Sequence, residues 1–159
     1  LQMRTLNASR RIFREVASRL KQLTPEQLDL LPGGNEEEQG YLLWLAFCRR
    51  YRFIYDFAVE MVREKFVRLD YGLTHEDYEV FFGRKAEWHP EMDQISTETR
   101  SKQRQVVFKT MREADLLSTD NQIIPALLSA RLVNVIAHGN AADLKIFPVS
   151  DLDILTWTR

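Results

Sequence analysis

The sequence has only one cysteine, Cys48, so it cannot form an internal disulfide. Cys48 ends the apolar run YLLWLAFC, and a single thiol in such a run is typical of a small buried side chain in a reducing compartment. This run, Tyr41 to Cys48, is also the longest uninterrupted apolar stretch, and it is far too short to span a bilayer. We therefore expect a cytoplasmic protein with no membrane partner.

Catalytic and cofactor signatures are also missing. The sequence has no phosphate-binding glycine loop, no CxxC or HExxH metal motif and no GxSxG nucleophile elbow. Glu87, His89, Glu91 and Asp93 are close enough in sequence to ligate a metal, but no recognised ligand spacing supports this, and we interpret them as a solvated helix end and turn. We expect a protein that is not an enzyme, with no catalytic residue, no bound metal and no cofactor.

Glycine and proline are scarce, with six and five residues, and helical periodicity dominates. Thr24-Pro25-Glu26-Gln27 reads as the N-cap, first-turn proline and capping-box partner of a short helix that ends near Leu31. In the segment before it, the apolar residues gather on one side at about 100° per residue. They are Leu6, Phe13, Val16, Ala17, Leu20 and Leu23. The predicted fold class is all-α, a compact multi-helix bundle.

The segment from Gly40 to about Asp70 is apolar on much of its circumference, which predicts a central core hairpin or a long helix bent at Arg49-Arg50-Tyr51-Arg52. Thr74 is predicted to cap the next helix. That helix carries aromatic residues at helical spacing, which more often form a core than a ligand-stacking cage. These residues are Tyr78, Phe81, Phe82 and Trp88.

Positive charge is concentrated in two segments, although the whole chain has 22 basic and 23 acidic residues. Ser96 or Thr97 should cap a helix in which Val107, Met111 and Ala114 form the buried stripe. Its basic, polar N-terminal end is expected to emerge from the body into solvent. The first helix is similarly unbalanced, because Glu15 is its only acid. Its basic residues are Arg4, Arg10, Arg11, Arg14, Arg19 and Lys21.

A short apolar-turn-apolar segment, near residues 116–124, follows the second basic helix and predicts a small β-hairpin around Asp120-Asn121. A helix, a hairpin and another helix, in this order, are typical of the recognition end of a winged helix-turn-helix. The hairpin has no basic residue between Ser118 and Gln122, which counts against it as a phosphate clamp. The expected organisation is a helical part over residues 1–70 and a second helical part over 71–159 with winged-helix character, forming one compact unit.

Two faces of a single sign in a neutral protein favour a polyanionic ligand, since a solubilising surface normally mixes charges. Lysines can neutralise phosphates, while arginine and glutamine can also bond base edges. From the residues alone, an acidic protein partner explains the charges equally well. The predicted DNA-binding residues are Arg10, Arg11, Arg14, Lys21, Arg100, Lys102, Arg104, Lys109 and Arg112.

Several long stretches resemble the BrxA family, the small helical component of bacterial BREX (bacteriophage exclusion) defence systems. The most specific are LLWLAFCRRYRFI and AEWHPEMD, and the resemblance extends in order over essentially the whole chain. It also includes NASRRIFREVASRLKQLTPEQLDLL, QISTETRSKQRQVVFKTMREADLL and QIIPALLS. The chain begins LQMR, without an initiator methionine, and such families continue upstream, so we expect an N-terminally truncated protein.

The resemblance implies an all-α protein with a NusB-like helical part over residues 1–70, no enzymatic activity of its own, and binding to double-stranded DNA. It also implies other BREX proteins as partners. Where such proteins often have Ala-Gly-Leu-Leu before the hairpin, this chain has Ala114-Asp115-Leu116-Leu117, and a left-handed residue at position 115 is costlier without glycine.

We therefore expect a DNA-binding accessory protein whose affinity for duplex DNA disappears in an Arg100→Glu, Arg104→Glu variant. The alternative is an assembly adaptor that docks acidic protein surfaces and does not bind DNA directly. RNA is a third candidate ligand, given the NusB-like resemblance. Trp88-His89-Pro90 is a further candidate docking segment.

Overall fold

The structure is a computed structural model that describes the chain from residue 2 to 159, with side chains from Thr5 onwards. The regular elements of this part are helices, which confirms the predicted all-α class. They are α1 (Gln2–Leu20), α2 (Pro25–Gly33), α3 (Glu36–Arg50), α4 (Arg52–Phe57), α5 (Glu64–Val67), α6 (His75–Trp88), α7 (Thr97–Glu113), α8 (Ala130–Asn140) and α9 (Asp151–Trp157). A π-helical segment, Ala58–Arg63, joins α4 to α5, and 3-10 helices span Pro90–Gln94 and Ala141–Ile146. None of the helices in the described part is long and apolar enough to cross a membrane.

Side-chain caps fix where several of these helices begin. Thr24 and Thr74 form capping boxes with Gln27 and Asp77, as the sequence predicts. Ser96 accepts a hydrogen bond from the backbone N–H of Thr99 and so begins α7. The predicted bend between α3 and α4 is also confirmed, because Tyr51 leaves the helical region with φ −126° and ψ 102°. The local signals of the sequence therefore place the main breaks in the bundle correctly.

The core surrounds α3, whose buried face carries Trp44, the largest fully buried side chain among the described residues. Trp44 is 1% exposed, and its indole N–H donates to the carbonyl of Ile146 at 3.0 Å. Cys48 is fully buried, as expected, and burial raises the pKa of its thiol. One cluster of buried apolar side chains includes residues from Leu23 to Val149. The division into residues 1–70 and 71–159 stays a prediction.

The aromatic face of α6 follows the prediction only in part. Tyr78, Phe81 and Phe82 are buried and pack around Phe53 of α4 with ring centroids 5.4–5.7 Å apart. Trp88 was expected in the same core, and this is wrong, because its side chain is 81% exposed. It is the last residue of α6, where the chain leaves the helix at His89. The π-helical segment after α4 and the final helix α9 were not predicted.

The segment after α7 forms a small hairpin-like turn rather than extended strands. Leu117 and Ile123 form an isolated antiparallel bridge, and the N–H of Ser118 donates to the carbonyl of Gln122 at 2.9 Å. A second bridge joins Gln122 to Gly72, so the turn also pairs with the segment before α6. The hairpin predicted near residues 116–124 is therefore present in reduced form, and it is held against the body.

Asp115 is the residue that turns the chain from α7 into the hairpin. Its φ is 55°, in the left-handed region where a side chain other than glycine is unfavourable. We expect Asp115→Gly to stabilise the protein by about 1 kcal/mol, since glycine adopts this conformation without the steric cost. Urea unfolding followed by circular dichroism measures the change. An Asp115→Ala variant is the control and should be less stable than the parent protein, whereas a destabilised glycine variant would contradict this explanation.

Candidate nucleic-acid interface

The first basic surface lies on α1 and on Lys21, the residue that follows it. It consists of Arg10, Arg11, Arg14 and Lys21, which we call the α1 basic face. All four side chains are exposed, and at about 100° per residue they gather on one side of the helix. In the part of the chain that the structure describes, no carboxylate forms an ion pair with any of the four. The predicted Arg4 lies outside the residues whose side chains the structure describes.

Glu15, the acidic residue of α1, interacts with Tyr51 and Arg19 rather than with this face. Glu15 accepts a hydrogen bond from the hydroxyl of Tyr51 at 2.6 Å and forms an ion pair with Arg19 at 3.1 Å. The Tyr51 hydrogen bond is the main reason that the pKa of Glu15 lies below its ordinary value, and the bond from Arg19 adds to it. Glu15 is therefore committed to the contact between α1 and the body, and the α1 basic face keeps its charge.

The C-terminal half of α1 is held by contacts with the body. The guanidinium of Arg19 lies 4.2 Å from the ring centroid of Phe47, and the hydroxyl of Ser18 accepts from Arg50 at 3.2 Å. Leu23, just after the helix, is buried in the core. Residues 5–14, in contrast, are all exposed. The N-terminal half of α1 is therefore an arm whose arginines are accessible to a large ligand.

The second basic surface differs from its prediction. Arg100 and Arg104 were expected to project into solvent from the emerging end of α7, and this is wrong. Both form ion pairs with one carboxylate, that of Glu79 on α6, at 2.8 and 2.7 Å. Arg100 also lies over the ring of Phe82, 5.0 Å from its centroid. The reason is that both arginines share the side of α7 that carries Val107 and Met111, so they lie against the body rather than in solvent.

The other three basic residues of α7 also differ from one another. Arg112 is half-buried and donates to the side-chain oxygen of Asn121 in the hairpin, so it holds the turn to the helix. Lys109 has a side chain that is 76% exposed, with Glu113 at 3.8 Å. Lys102 is exposed as well. Of the predicted residues on α7, Lys102 and Lys109 are the two that project freely enough to reach a ligand.

A groove of about 530 Å³ separates α1 from α7. One wall is formed by Glu15 and Arg19 of α1, and the opposite wall by Lys102, Gln103 and Val106 of α7. The floor is aromatic and apolar, with Phe53, Ile54, Tyr78 and Phe82. The two helices singled out by their charge are thus neighbours. The α1 basic face itself lies roughly a third of a turn away from the wall residues, on the outer side of the helix.

The region that could resemble a metal site has no ligand geometry. His89 Nδ1 lies 3.4 Å from a carboxylate oxygen of Glu91, and both side chains are more than half exposed. Among the described residues, no three His, Cys, Asp or Glu side chains are grouped so that they could hold a metal ion. This region therefore supplies no chemistry to the site.

The sequence did not reveal the residue that neutralises the two arginines of α7, which is Glu79. Glu79 is more than twenty positions upstream and belongs to another helix, so no local pattern connects it with Arg100 or Arg104. The groove was missed for the same reason, since its lining comes from residues between Glu15 and Val106. One signal was available in the sequence: Arg100 and Arg104 lie on the same side of α7 as the buried Val107 and Met111.

Comparison with known protein families matches residues 1–140 to BrxA. A search of the curated proteins finds none that matches this chain. The match extends over both basic helices, the groove and the hairpin, and it ends with α8. The chain therefore belongs to the BrxA family, and it is a component of a BREX phage-defence system.

Proposed function

We propose that this protein is a non-enzymatic accessory component that binds double-stranded DNA through the α1 basic face. The observation that supports this most strongly is that Arg10, Arg11, Arg14 and Lys21 are exposed on one side of α1 and of the residue that follows it, without a described ion-pair partner. Such a surface neutralises phosphates without first breaking internal ion pairs. Lys102 and Lys109 of α7 are proposed as additional phosphate contacts.

The length of the α1 basic face suits a phosphate backbone. Arg10 and Lys21 are separated by about 16 Å along a helix that rises about 1.5 Å per residue. On one strand of duplex DNA this corresponds to about five nucleotides. Lysine and arginine side chains that contact phosphates fix the position of a protein but do not read sequence. We therefore expect binding with little preference among duplex sequences.

The proposal does not use α7 as a base-reading helix. Arg100 and Arg104 could bond base edges only after leaving Glu79, which would remain as a partly buried carboxylate without its partners. The pre-hairpin helix thus lacks free arginines at the end that a winged helix-turn-helix inserts into the major groove. This arrangement favours backbone binding over sequence recognition.

A competition assay tests which polyanion is bound. A fluorescently labelled 30-base-pair duplex is titrated with the protein, and unlabelled duplex DNA, double-stranded RNA and single-stranded DNA are then added as competitors. We expect duplex DNA of any sequence to displace the probe most effectively. Stronger displacement by RNA would identify RNA as the ligand, and the absence of any complex would reject the proposal.

The second candidate function is an assembly adaptor that contacts other BREX proteins without binding DNA. It is favoured by a specific observation, the 81% exposure of Trp88 beside His89 and Pro90, since exposed tryptophans are frequent anchors of protein interfaces. Co-purification with BREX proteins that survives nuclease treatment, together with no complex on naked duplex DNA, distinguishes the adaptor from the DNA-binding protein.

A further inference from the structure

The groove between α1 and α7 has an apolar floor that nothing in the described structure covers. The floor is formed by three aromatic rings and one isoleucine, which are Phe53, Tyr78, Phe82 and Ile54. Val106 continues the apolar lining onto the α7 wall, and its side chain is 44% exposed. The charged side chains of the groove belong to its walls, so an apolar surface would bury against the floor without displacing a charge.

The apolar surface continues along α1 beyond the groove. Ile12 lies one turn before Glu15, on the same side of the helix as the wall residue Arg19, and it is 66% exposed. The groove volume of about 530 Å³ is typical of a ligand site. A groove between two helices with exposed apolar side chains at its edge suits an amphipathic helix, which docks through about three side chains at positions i, i+3 or i+4, and i+7.

The walls and rims of the groove carry more positive than negative charge. Lys102 on the α7 wall is exposed, and no carboxylate of the described residues forms an ion pair with it. Lys109 lies two turns further along the same side of α7, with a side chain that is 76% exposed. On α1, Arg11 and Arg19 lie one turn to either side of Glu15. The carboxylate of Glu15 is already engaged with the body, so it does not offset these cations.

We propose that the groove binds a helical segment of a partner protein that has an apolar face flanked by acidic side chains. The apolar face lies on the aromatic floor, and the carboxylates reach Lys102 and Arg11 at the two rims. Glu91 and Asp93 are exposed at the other end of the groove and repel an acid there. The acids of the segment therefore lie along the part between Lys102 and Lys109, which is about 10 Å long on a helix that rises about 1.5 Å per residue.

The groove and the α1 basic face are separate surfaces. Arg10 and Arg14 lie on the outer side of α1 and stay accessible when the groove is occupied. Lys102 and Lys109 are shared with the proposed DNA contacts. Val106, in contrast, has no charge and belongs to the groove alone, so changing it tests the groove without changing the DNA surface. The proposal does not rest on the binding of DNA.

Fluorescence anisotropy with labelled synthetic helices tests the proposal. Three series of peptides, each about 16 residues long, are made with leucine, phenylalanine or tryptophan as apolar anchors. The first series has glutamates beside the anchors, the second has lysines in place of the glutamates, and the third keeps the glutamates but has serines in place of the anchors. At about 0.15 M salt we expect the glutamate series to bind at least about 10-fold more tightly than the other two.

Substitutions on the α7 wall locate the binding site. Val106→Glu should weaken binding of the glutamate series by at least about 30-fold, because it places a carboxylate on the apolar wall. Gln103 is exposed on the same wall, so Gln103→Glu should weaken binding by about 3-fold and Gln103→Lys should strengthen it by a similar factor. Leu127→Glu is the matched control, since Leu127 is 71% exposed and does not line the groove.

Three results would overturn the proposal. They are no binding of the glutamate series, equal binding of the lysine series, and an affinity that is unaffected by Val106→Glu and Gln103→Glu. Unchanged circular dichroism spectra of the variants ensure that lost binding is not lost folding. A protein that binds duplex DNA but no peptide would contradict the groove proposal alone, and one that binds the peptides but no DNA would contradict the proposed function alone.

Discussion

Replacing Asp143 with alanine is expected to lower the free energy of unfolding by about 3–5 kcal/mol, because it leaves a largely buried arginine without its charged partner. The carboxylate side chain of Asp143 is 4% exposed. It accepts hydrogen bonds from Arg49 Nε at 2.9 Å and from the hydroxyl of Tyr55 at 2.7 Å. Burial, reinforced by Asp143, raises the pKa of Tyr55, so its hydroxyl stays protonated and donates.

The same arginine connects parts of the chain that are far apart in sequence. Arg49 also donates to the backbone carbonyl of Gln22 at 2.9 Å and to the side-chain oxygen of Gln27 at 2.8 Å. Gln27 is fully buried, and its amide nitrogen donates to the carbonyl of Val135 at 3.1 Å. Losing Asp143 therefore weakens a network that holds the start of α2, the end of α3 and α8 together.

Urea unfolding, followed by circular dichroism, measures this effect. Tyr55→Phe removes one neutral donor and should cost only about 1 kcal/mol. Asp29→Ala, which removes an exposed carboxylate of α2, should change stability by less than about 0.5 kcal/mol. If Asp143→Ala were no more destabilising than Asp29→Ala, the network would not have the structural role that its contacts indicate.

Reversing two charges of the α1 basic face should have the largest effect on DNA binding. We expect Arg10→Glu with Arg14→Glu to weaken duplex affinity by about 100-fold at low salt, since two phosphate contacts become repulsive. Both residues are exposed and lack a described ion-pair partner, so the fold should be unaffected. Fluorescence anisotropy with a labelled duplex measures the change.

The matched control for this variant is Arg68→Glu with Arg84→Glu. These arginines are also exposed, and the change in net charge is the same. Arg68 follows α5 and Arg84 lies in α6. If DNA binds to the α1 basic face, this control variant should therefore lose little affinity for the duplex. Equal losses in the two variants would show that net charge, rather than the α1 basic face, governs binding.

The variant that the sequence suggested first, Arg100→Glu with Arg104→Glu, is a poor test of DNA binding. Both arginines neutralise Glu79, so the double substitution would place three carboxylates together at a partly buried site. Repulsion and lost hydrogen bonds there should destabilise the contact between α6 and α7. A loss of DNA binding in that variant cannot be distinguished from a loss of folding unless the stability of the variant is measured as well.

Features determined by neighbouring residues could be predicted from the sequence. The caps at Thr24 and Thr74, the bend at Tyr51 and the buried stripe at Val107 and Met111 all depend on local spacing. The left-handed conformation of Asp115, with φ 55°, was suggested by the resemblance, because similar proteins often have glycine at this position. These local features are sufficient to predict the helical class.

Features that depend on contacts between distant elements could not be predicted. The charges of Arg100 and Arg104 looked free because Glu79 is brought to them only by the packing of α6 on α7. Trp88 had the spacing of a core residue, but α6 ends there. Periodicity gives the side of a helix on which a residue lies, but it does not give which helix covers that side.

The most direct test of the proposed function is the salt dependence of duplex binding. If Arg10, Arg11, Arg14 and Lys21 each contact a phosphate, they should contribute about −3 to −4 to the slope of the logarithm of the association constant against the logarithm of salt concentration, and Lys102 and Lys109 would make the total slope steeper. The Arg10→Glu, Arg14→Glu variant should then show a slope about two units shallower. A slope near zero for the parent protein, or the same slope for both, would contradict the account.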